Sequence, residues 1–168
     1  MHQVETVKRL KKEKGLVFAI QDTTTLNYTH HPKKKGINKI NKNPGFNQPS
    51  RGCFLHNTLL MTEKGLPLGL IDQKIFQHDP AQTIDHKRRP IQVKQSFRWI
   101  ESLRTTTSLC QPKSVVTISD RESDIFEFLA EAQELRVKVL VRAARDRILV
   151  IKAKENSTTL WTYMKKNR

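Results

Sequence analysis

The chain has few cysteines and no long hydrophobic run. Its two cysteines, Cys53 and Cys110, fit no metal-binding or redox spacing, so we expect ordinary reduced thiols. No apolar stretch approaches the roughly 18 residues that span a bilayer. The lysine-rich residues 1–15 lack the apolar core of a secretion signal. These absences predict a cytoplasmic protein without a membrane-spanning segment.

Acidic residues are also scarce. The 168 residues carry 31 Lys and Arg against 16 Asp and Glu, a formal net charge of +15. Residues 23–62 contain no Asp or Glu, whereas a solvated surface normally mixes both signs. Such an excess favours an anionic partner, with DNA, RNA or an acidic membrane surface as candidates. The alternative is a disordered basic loop without a specific ligand.

Two aspartates follow two apolar runs of the β type. Residues 16–22 end at Asp22, and residues 115–119 are followed by Asp120. A short β-branched run that ends in a carboxylate and then opens a helix places an acid at the edge of a buried sheet. If the two strands are parallel neighbours, the carboxylates converge and repel each other. A divalent cation is then the natural partner.

Both acids also have a plainer interpretation. Asp120 could cap the following helix, with Ser119–Glu122 as a capping box. Asp22 could be a solvated strand end beside turn residues. Asp124 would then be a first-turn helix acid favoured by the helix dipole. Capping and catalysis are compatible, so these interpretations stay open beside the metal site.

The remaining patterns predict an α/β fold. We expect a lead-in helix or frayed arm over residues 1–14, a loop over 27–52 and a hairpin from 54–62 and 66–77. A helix follows over 93–108, with Trp99 in the core, and then a second helix and a fifth strand over 138–143. The apolar face of the second helix consists of Ile125, Phe126, Leu129, Ala130 and Ala132. This is the element order of the RNase H-like fold, a mixed five-stranded sheet with flanking helices. In that fold the first and fourth strands are parallel neighbours, which would bring Asp22 and Asp120 together.

Four segments resemble bacterial cut-and-paste transposases of the Tn-five type, in the insertion-sequence-four family of DDE transposases. In chain order they are Gln21-Asp22-Thr23-Thr24, Arg51-Gly52-Cys53-Phe54-Leu55-His56, Gln95-Ser96-Phe97-Arg98-Trp99 and Ser119-Asp120-Arg121-Glu122-Ser123-Asp124-Ile125. The likeness covers roughly residues 16–166. The Asp-Arg-Glu-x-Asp-Ile stretch is its most specific part.

The resemblance implies a DNA transposition activity. Asp22 and Asp120 would be two acids of the catalytic triad and would hold Mg²⁺ or Mn²⁺ through oxygen ligands. Two such ions can activate a nucleophile and stabilise the leaving oxygen in phosphodiester hydrolysis and strand transfer. The implied partners are double-stranded DNA, as transposon ends and target, and a second copy in a homodimer. The residues expected to contact DNA are Arg142, Arg121, Lys33, Lys34, Lys35 and Arg51.

The chain departs from the family at the third acid. That glutamate lies in a Tyr-x-x-Arg-x-x-x-Glu-x-x-x-x-x-x-Lys helix, which has no match here. We expect a basic lead-in over residues 1–15, an incomplete RNase H-like core over 16–148 and the start of a β-rich insertion over 149–168. The resemblance thus implies a truncated transposase from a mobile element, inactive alone.

Three functions remain open at this point. The chain is a fragment of a transposase core, a non-catalytic basic DNA-binding remnant, or an RNase H-like nuclease that never needed the third acid. A metal site on Asp22 and Asp120 favours the first. Purely salt-dependent affinity for DNA favours the second.

Overall fold

The computed structural model describes residues 2–40, 50–77, 90–110, 115–149 and 158–167. Its elements are α1 (His2–Leu10), β1 (Val17–Asn27), β2 (Gly52–Thr62), β3 (Pro67–Phe76), α2 (Phe97–Leu109), β4 (Val115–Ser119), α3 (Phe126–Glu134), β5 (Lys138–Val141), β6 (Ile148–Leu149), β7 (Thr158–Thr159) and α4 (Leu160–Lys166). Short 3-10 turns cover Ile91–Val93 and Arg121–Ser123. No helix in these ranges is long and apolar enough to cross a membrane.

The centre of the protein is a five-stranded mixed sheet in the order β3-β2-β1-β4-β5. Strands β1, β2 and β3 pair antiparallel, while β4 is parallel to both β1 and β5. The predicted α/β class, with a mixed five-stranded sheet and flanking helices, is confirmed. β6 and β7 form a separate two-stranded ribbon, and its assignment to a β-rich insertion stays a prediction.

One face of the sheet is covered by helices. Val17, Ala19 and Gln21 alternate along β1 and are all buried. Leu10 of α1 belongs to the same buried cluster as Val17 and Ala19. A second cluster joins α2 to α3 and consists of Trp99, Ile100, Leu103, Phe128 and Ala132. Trp99 is only 1% exposed, so its predicted place in the core is confirmed.

The opposite face carries an apolar row that crosses all five strands. The register aligns Leu70, Leu59, Ile20, Ile118 and Leu140 on neighbouring strands. The first four side chains are half-buried, and Leu140, on the edge strand β5, is 61% exposed. Side chains alternate between faces along a strand, so this face also carries Asp22, two residues after Ile20.

The first helix is packed against the sheet rather than frayed. The Thr6 hydroxyl, which is buried, donates a 2.8 Å hydrogen bond to the Leu70 carbonyl oxygen of β3. Gly69 makes this approach possible, because a Cβ there would lie 2.4 Å from the Thr6 hydroxyl oxygen and the backbone φ is +129°. A contact made by threonine and glycine leaves little hydrophobic periodicity for a sequence pattern to detect.

Two predicted helix faces differ from the structure. The helix expected from Val93 begins at Phe97, and Val93 lies exposed in the preceding 3-10 turn. In α3 the buried positions are Phe128 and Ala132, whereas Phe126 is 74% exposed. Ile125 is still extended and, like Leu129, packs against the same cluster, so Phe126 alone points away from the predicted apolar face.

Candidate functional site

The two predicted acids follow the same pair of parallel strands. Gln21 pairs with Ser119, the last paired rung between β1 and β4. Asp22 and Asp120 are the next residue on each strand. Adjacent strands lie about 4.8 Å apart, so the backbone brings the two aspartates to one edge of the sheet. The parallel-neighbour arrangement expected from the element order is therefore present.

Asp120 also caps the turn that follows β4. Its Oδ1 accepts a 2.8 Å hydrogen bond from the Glu122 backbone N–H. The predicted capping box is not formed as expected, because the Ser119 hydroxyl lies 2.6 Å from the Ser123 hydroxyl instead. The cap uses Oδ1 and fixes the orientation of the carboxylate. Oδ2 has no hydrogen bond to another described residue.

The donors at this edge fit a divalent cation in type but make a small set. Two carboxylates are the hard oxygen ligands that Mg²⁺ and Mn²⁺ prefer. Asp22 is exposed, and Asp120 is half-buried and held by its cap. Within the described ranges, no group of three or more His, Cys, Asp or Glu side chains could hold a metal ion. Among the described residues, this edge thus offers two carboxylates that could serve as ligands.

Arg98 links the acidic edge to the helix-covered face. Its Nε donates to the Thr23 hydroxyl at 3.1 Å, and its Nη2 meets the Glu122 carboxylate at 2.5 Å. The guanidinium lies 5.1 Å from the centre of the Phe76 ring. Burial lowers the pKa of Arg98, while the Glu122 and Asp120 carboxylates oppose that shift. The side chain is 11% exposed and stays charged, so it partly neutralises the acids nearby.

Beneath Arg98 lies a buried histidine. His56 Nδ1 is 2.8 Å from the Thr23 hydroxyl, and its ring packs edge-on against Trp99 at 4.5 Å. Burial lowers the pKa of His56 to about 4, with the charges of Arg98 and Lys74 acting in the same direction. The imidazole is therefore neutral at pH 7 and holds the Thr23 hydroxyl as an uncharged hydrogen-bonding partner.

Asp124 forms a clamp on the segment after β5. Its Oδ2 accepts backbone N–H bonds from Ala144 at 2.7 Å and Arg145 at 3.0 Å. Arg147 forms an ion pair with Oδ1 and donates to the Asp124 carbonyl oxygen at 2.9 Å. Asp124 is only 4% exposed. The expectation of a simple first-turn helix acid was wrong, because its partners lie 20 residues and more along the chain.

Arg51 orders the basic loop. Its guanidinium donates to the carbonyl oxygens of Pro32 at 3.2 Å, Lys34 at 3.1 Å and Ile37 at 3.2 and 3.3 Å. These bonds use four of its five N–H donors. Its predicted contact with DNA stays untested, but the structure gives it a positioning role.

The three predicted lysines lie on the ordered loop that Arg51 holds. Lys33, Lys34 and Lys35 are exposed, and the Lys34 ammonium sits 4.0 Å over the Tyr28 ring. The Gln77 side chain donates to the Gly36 carbonyl oxygen at 2.9 Å, which ties the loop to the end of β3. Residues 28–40 are therefore not a disordered arm. Lys42 lies outside the described residues.

The two other predicted DNA contacts are exposed near the acidic edge. Arg121 lies in the turn directly after Asp120, and Arg142 follows β5 with its backbone N–H bonded to the Ser119 carbonyl oxygen at 3.2 Å. Both guanidinium groups are free of ion pairs among the described residues. Their positions flank Asp120 on two sides.

Sequence reasoning missed Arg98, His56 and Arg145 as members of this region. His56 and Arg98 lie in two of the four segments that resemble transposases, and that resemblance was the signal that could have identified them. Arg145 reaches the region only because Asp124 holds its backbone. When the chain is compared with models of known protein families, none matches.

Proposed function

We propose that the chain is the metal-binding, DNA-binding part of a DDE transposase core with an RNase H-like fold. The observation that carries this proposal is the parallel pairing of β1 with β4, because Asp22 and Asp120 directly follow its last rung, Gln21–Ser119. The sheet order β3-β2-β1-β4-β5 supports the RNase H-like assignment. The activity proposed is Mg²⁺- or Mn²⁺-dependent phosphodiester hydrolysis and strand transfer, once further ligands complete the metal site.

The geometry also supports a path for duplex DNA. The β1–β2 ribbon continues from Asp22 to Asn27, five residues further, and then enters the basic loop. At about 3.4 Å per residue, β1 ends and the basic loop begins about 17 Å from Asp22. Duplex DNA carries one negative charge per about 1.7 Å of axis, so bound DNA that spans this distance presents phosphates to both regions. The acids and the loop lysines would then contact one DNA molecule.

The decisive experiment measures Mn²⁺ binding. Isothermal titration calorimetry and the Mn²⁺ electron paramagnetic resonance signal should show one weak site in the wild type. Asp22→Asn and Asp120→Asn should each abolish it. Asparagine can still accept the N–H bond from Glu122, so Asp120→Asn removes the charge and keeps the cap. Glu13→Gln, which removes an exposed carboxylate near α1, is the matched control and should bind Mn²⁺ like the wild type.

A second function is favoured by one observation. The described edge contributes two acids and no third, which fits a basic protein that binds DNA without cutting it. In that case duplex affinity falls steeply with salt and is unchanged by Mn²⁺ or by either asparagine variant. Binding of Mn²⁺ that depends on both aspartates would reject this alternative.

A further inference from the structure

A groove lies on the helix-covered side of the sheet, on the other face from Asp22. One part is a cleft of about 600 Å³ lined by Thr25, Phe76, Arg98, Arg121 and Arg145, among others. A second cleft of about 320 Å³ contains Phe126 and Lys94 and shares Ser96, Ile125 and Arg145 with the first. Because they share these three lining residues, the two clefts adjoin, and we call them together the arginine groove.

The arginine groove holds positive charge that the protein does not neutralise. Glu122 is paired with Arg98, and Asp124 is paired with Arg147. Three further cations line the groove and form no ion pair among the described residues. They are Lys94, Arg121 and Arg145, against the single acid Glu127. The groove therefore favours a ligand with more than one negative charge.

The arginine groove also presents an aromatic ring that packing does not explain. Phe126 is 74% exposed at the start of α3, although Phe128 in the same helix is fully buried. Arg145 and Arg147 line the same cleft as this ring. An exposed aromatic ring in the same cleft as several cations is a combination that binds single-stranded nucleic acid, because bases stack on the ring while phosphates pair with the cations.

We propose that the arginine groove binds a single strand of nucleic acid, with one base stacked on Phe126 and phosphates at Arg121 and Arg145. This rests on the proposed function, because it extends the DNA contact to the helix-covered face of the sheet. A groove of this volume lies in the range of small-ligand sites, about 300–1,000 Å³, so it admits a few nucleotides of one strand but not a double helix. The strand would contact Arg121, which is the residue directly after Asp120.

The test is fluorescence anisotropy with a labelled 15-nucleotide oligo-dT and with a labelled duplex. Phe126→Ala should raise the Kd for oligo-dT about tenfold, because a stacked base contributes about 1–3 kcal/mol. Leu66→Ala, which removes another exposed apolar side chain in the β2–β3 turn, is the matched control and should bind as the wild type does. Phe126→Trp should keep the affinity, and its added fluorescence should be quenched by oligo-dT.

The charge contacts are tested by salt dependence. Arg121→Gln combined with Arg145→Gln should reduce the slope of log K against log salt by about 1.4, at about 0.7 per single-strand phosphate. Lys64→Gln, in the turn at the far end of the sheet, should leave the slope unchanged. Circular dichroism melts should show that all variants are folded.

Three results would overturn this inference. If the Kd for oligo-dT is unchanged in the Phe126 and arginine variants, the groove is not the binding site. Duplex binding, and so the proposed function, would be unaffected by that result. Competition by thymidine monophosphate at the same concentration as oligo-dT would assign the groove to free nucleotides. Failure of both the oligonucleotide and the duplex to bind would reject the inference and the proposed DNA contact together.

Discussion

His56 is a buried imidazole whose protonation opposes folding. Its pKa falls from 6.5 to about 4 because of burial first and then the charges of Arg98 and Lys74, with Asp72 acting the other way. Between these two pH values His56 is protonated in the unfolded chain and neutral in the folded chain. The free energy of unfolding therefore decreases as pH falls from about 6.5 to about 4.

We expect His56 alone to make the protein about 2 kcal/mol less stable at pH 5 than at pH 7.5. Urea unfolding followed by circular dichroism at both pH values measures the difference. His56→Gln, which cannot be protonated, should lose this part of the pH dependence whatever its absolute stability. A variant that keeps the full dependence would show that other groups cause it.

Arg51 is expected to affect nucleic acid binding through the loop it orders. Arg51→Lys keeps the charge but loses the fork that reaches Pro32, Lys34 and Ile37. The lost hydrogen bonds stabilise the closed loop by about 1 kcal/mol, so the open form of the variant is more populated. Trypsin should therefore cleave at Lys33–Lys35 about five to ten times faster. Arg104→Lys, which alters an exposed pair with Glu131, is the matched control. Equal cleavage of Arg51→Lys and wild type would assign the loop's order to other contacts.

At the scale of an element, Asp124 fixes the segment that follows β5. Hydrogen bonds from Arg147 and from the Ala144 and Arg145 backbones lower the pKa of Asp124 and outweigh burial, which is the largest single effect and raises it. The stabilisation is thus present above the carboxyl's unfolded pKa and is lost as pH falls through the lower folded value.

Asp124→Asn should cost about 2–3 kcal/mol, since it leaves Arg147 beside a buried amide. The melting temperature should fall by about 5–10 °C. Asp146→Asn is the matched control, because Asp146 is exposed and, among the residues that the structure describes, accepts only the Trp161 backbone N–H. A similar loss in both variants would mean that the clamp contributes no more than an ordinary surface contact.

The elements differ in how far their sequences predict them. Strand β4 was predicted residue for residue, because Val115–Ser119 is a β-branched run bounded by turn signals. Strand β1 was predicted to end at Asp22 but continues to Asn27, since the polar residues beyond it pair with β2. The apolar face of α3 was predicted except at Phe126, which is exposed, and at Phe128, which is buried. A local sequence pattern identifies an apolar strand. How far a strand extends, and which side of a helix faces the core, depend on the elements packed against it.

At the scale of the whole molecule, topology predicted the acidic edge and nothing predicted the arginine groove. The order of elements is enough to place Asp22 beside Asp120, because parallel neighbours share an edge. The groove needs Arg98 from α2, Arg121 from the turn after β4, and Arg145 from beyond β5. Those three segments are joined by contacts between residues far apart in the sequence, among them the Asp124 clamp and the Arg98–Glu122 ion pair, which no local pattern encodes.

The apolar row on the second face makes a last prediction about the whole molecule. Leu140 is 61% exposed on β5, an edge strand, and continues a row that crosses the sheet. Exposed edges with apolar side chains promote association between chains, and a lysine there opposes it. Leu140→Lys should therefore reduce concentration-dependent self-association and the fluorescence of bound anilinonaphthalene sulfonate, with stability changed by less than about 0.5 kcal/mol. Sedimentation velocity measures the first effect. Leu66→Lys adds the same charge at a residue outside the row, so an equal reduction there would trace the association to net charge and not to this face.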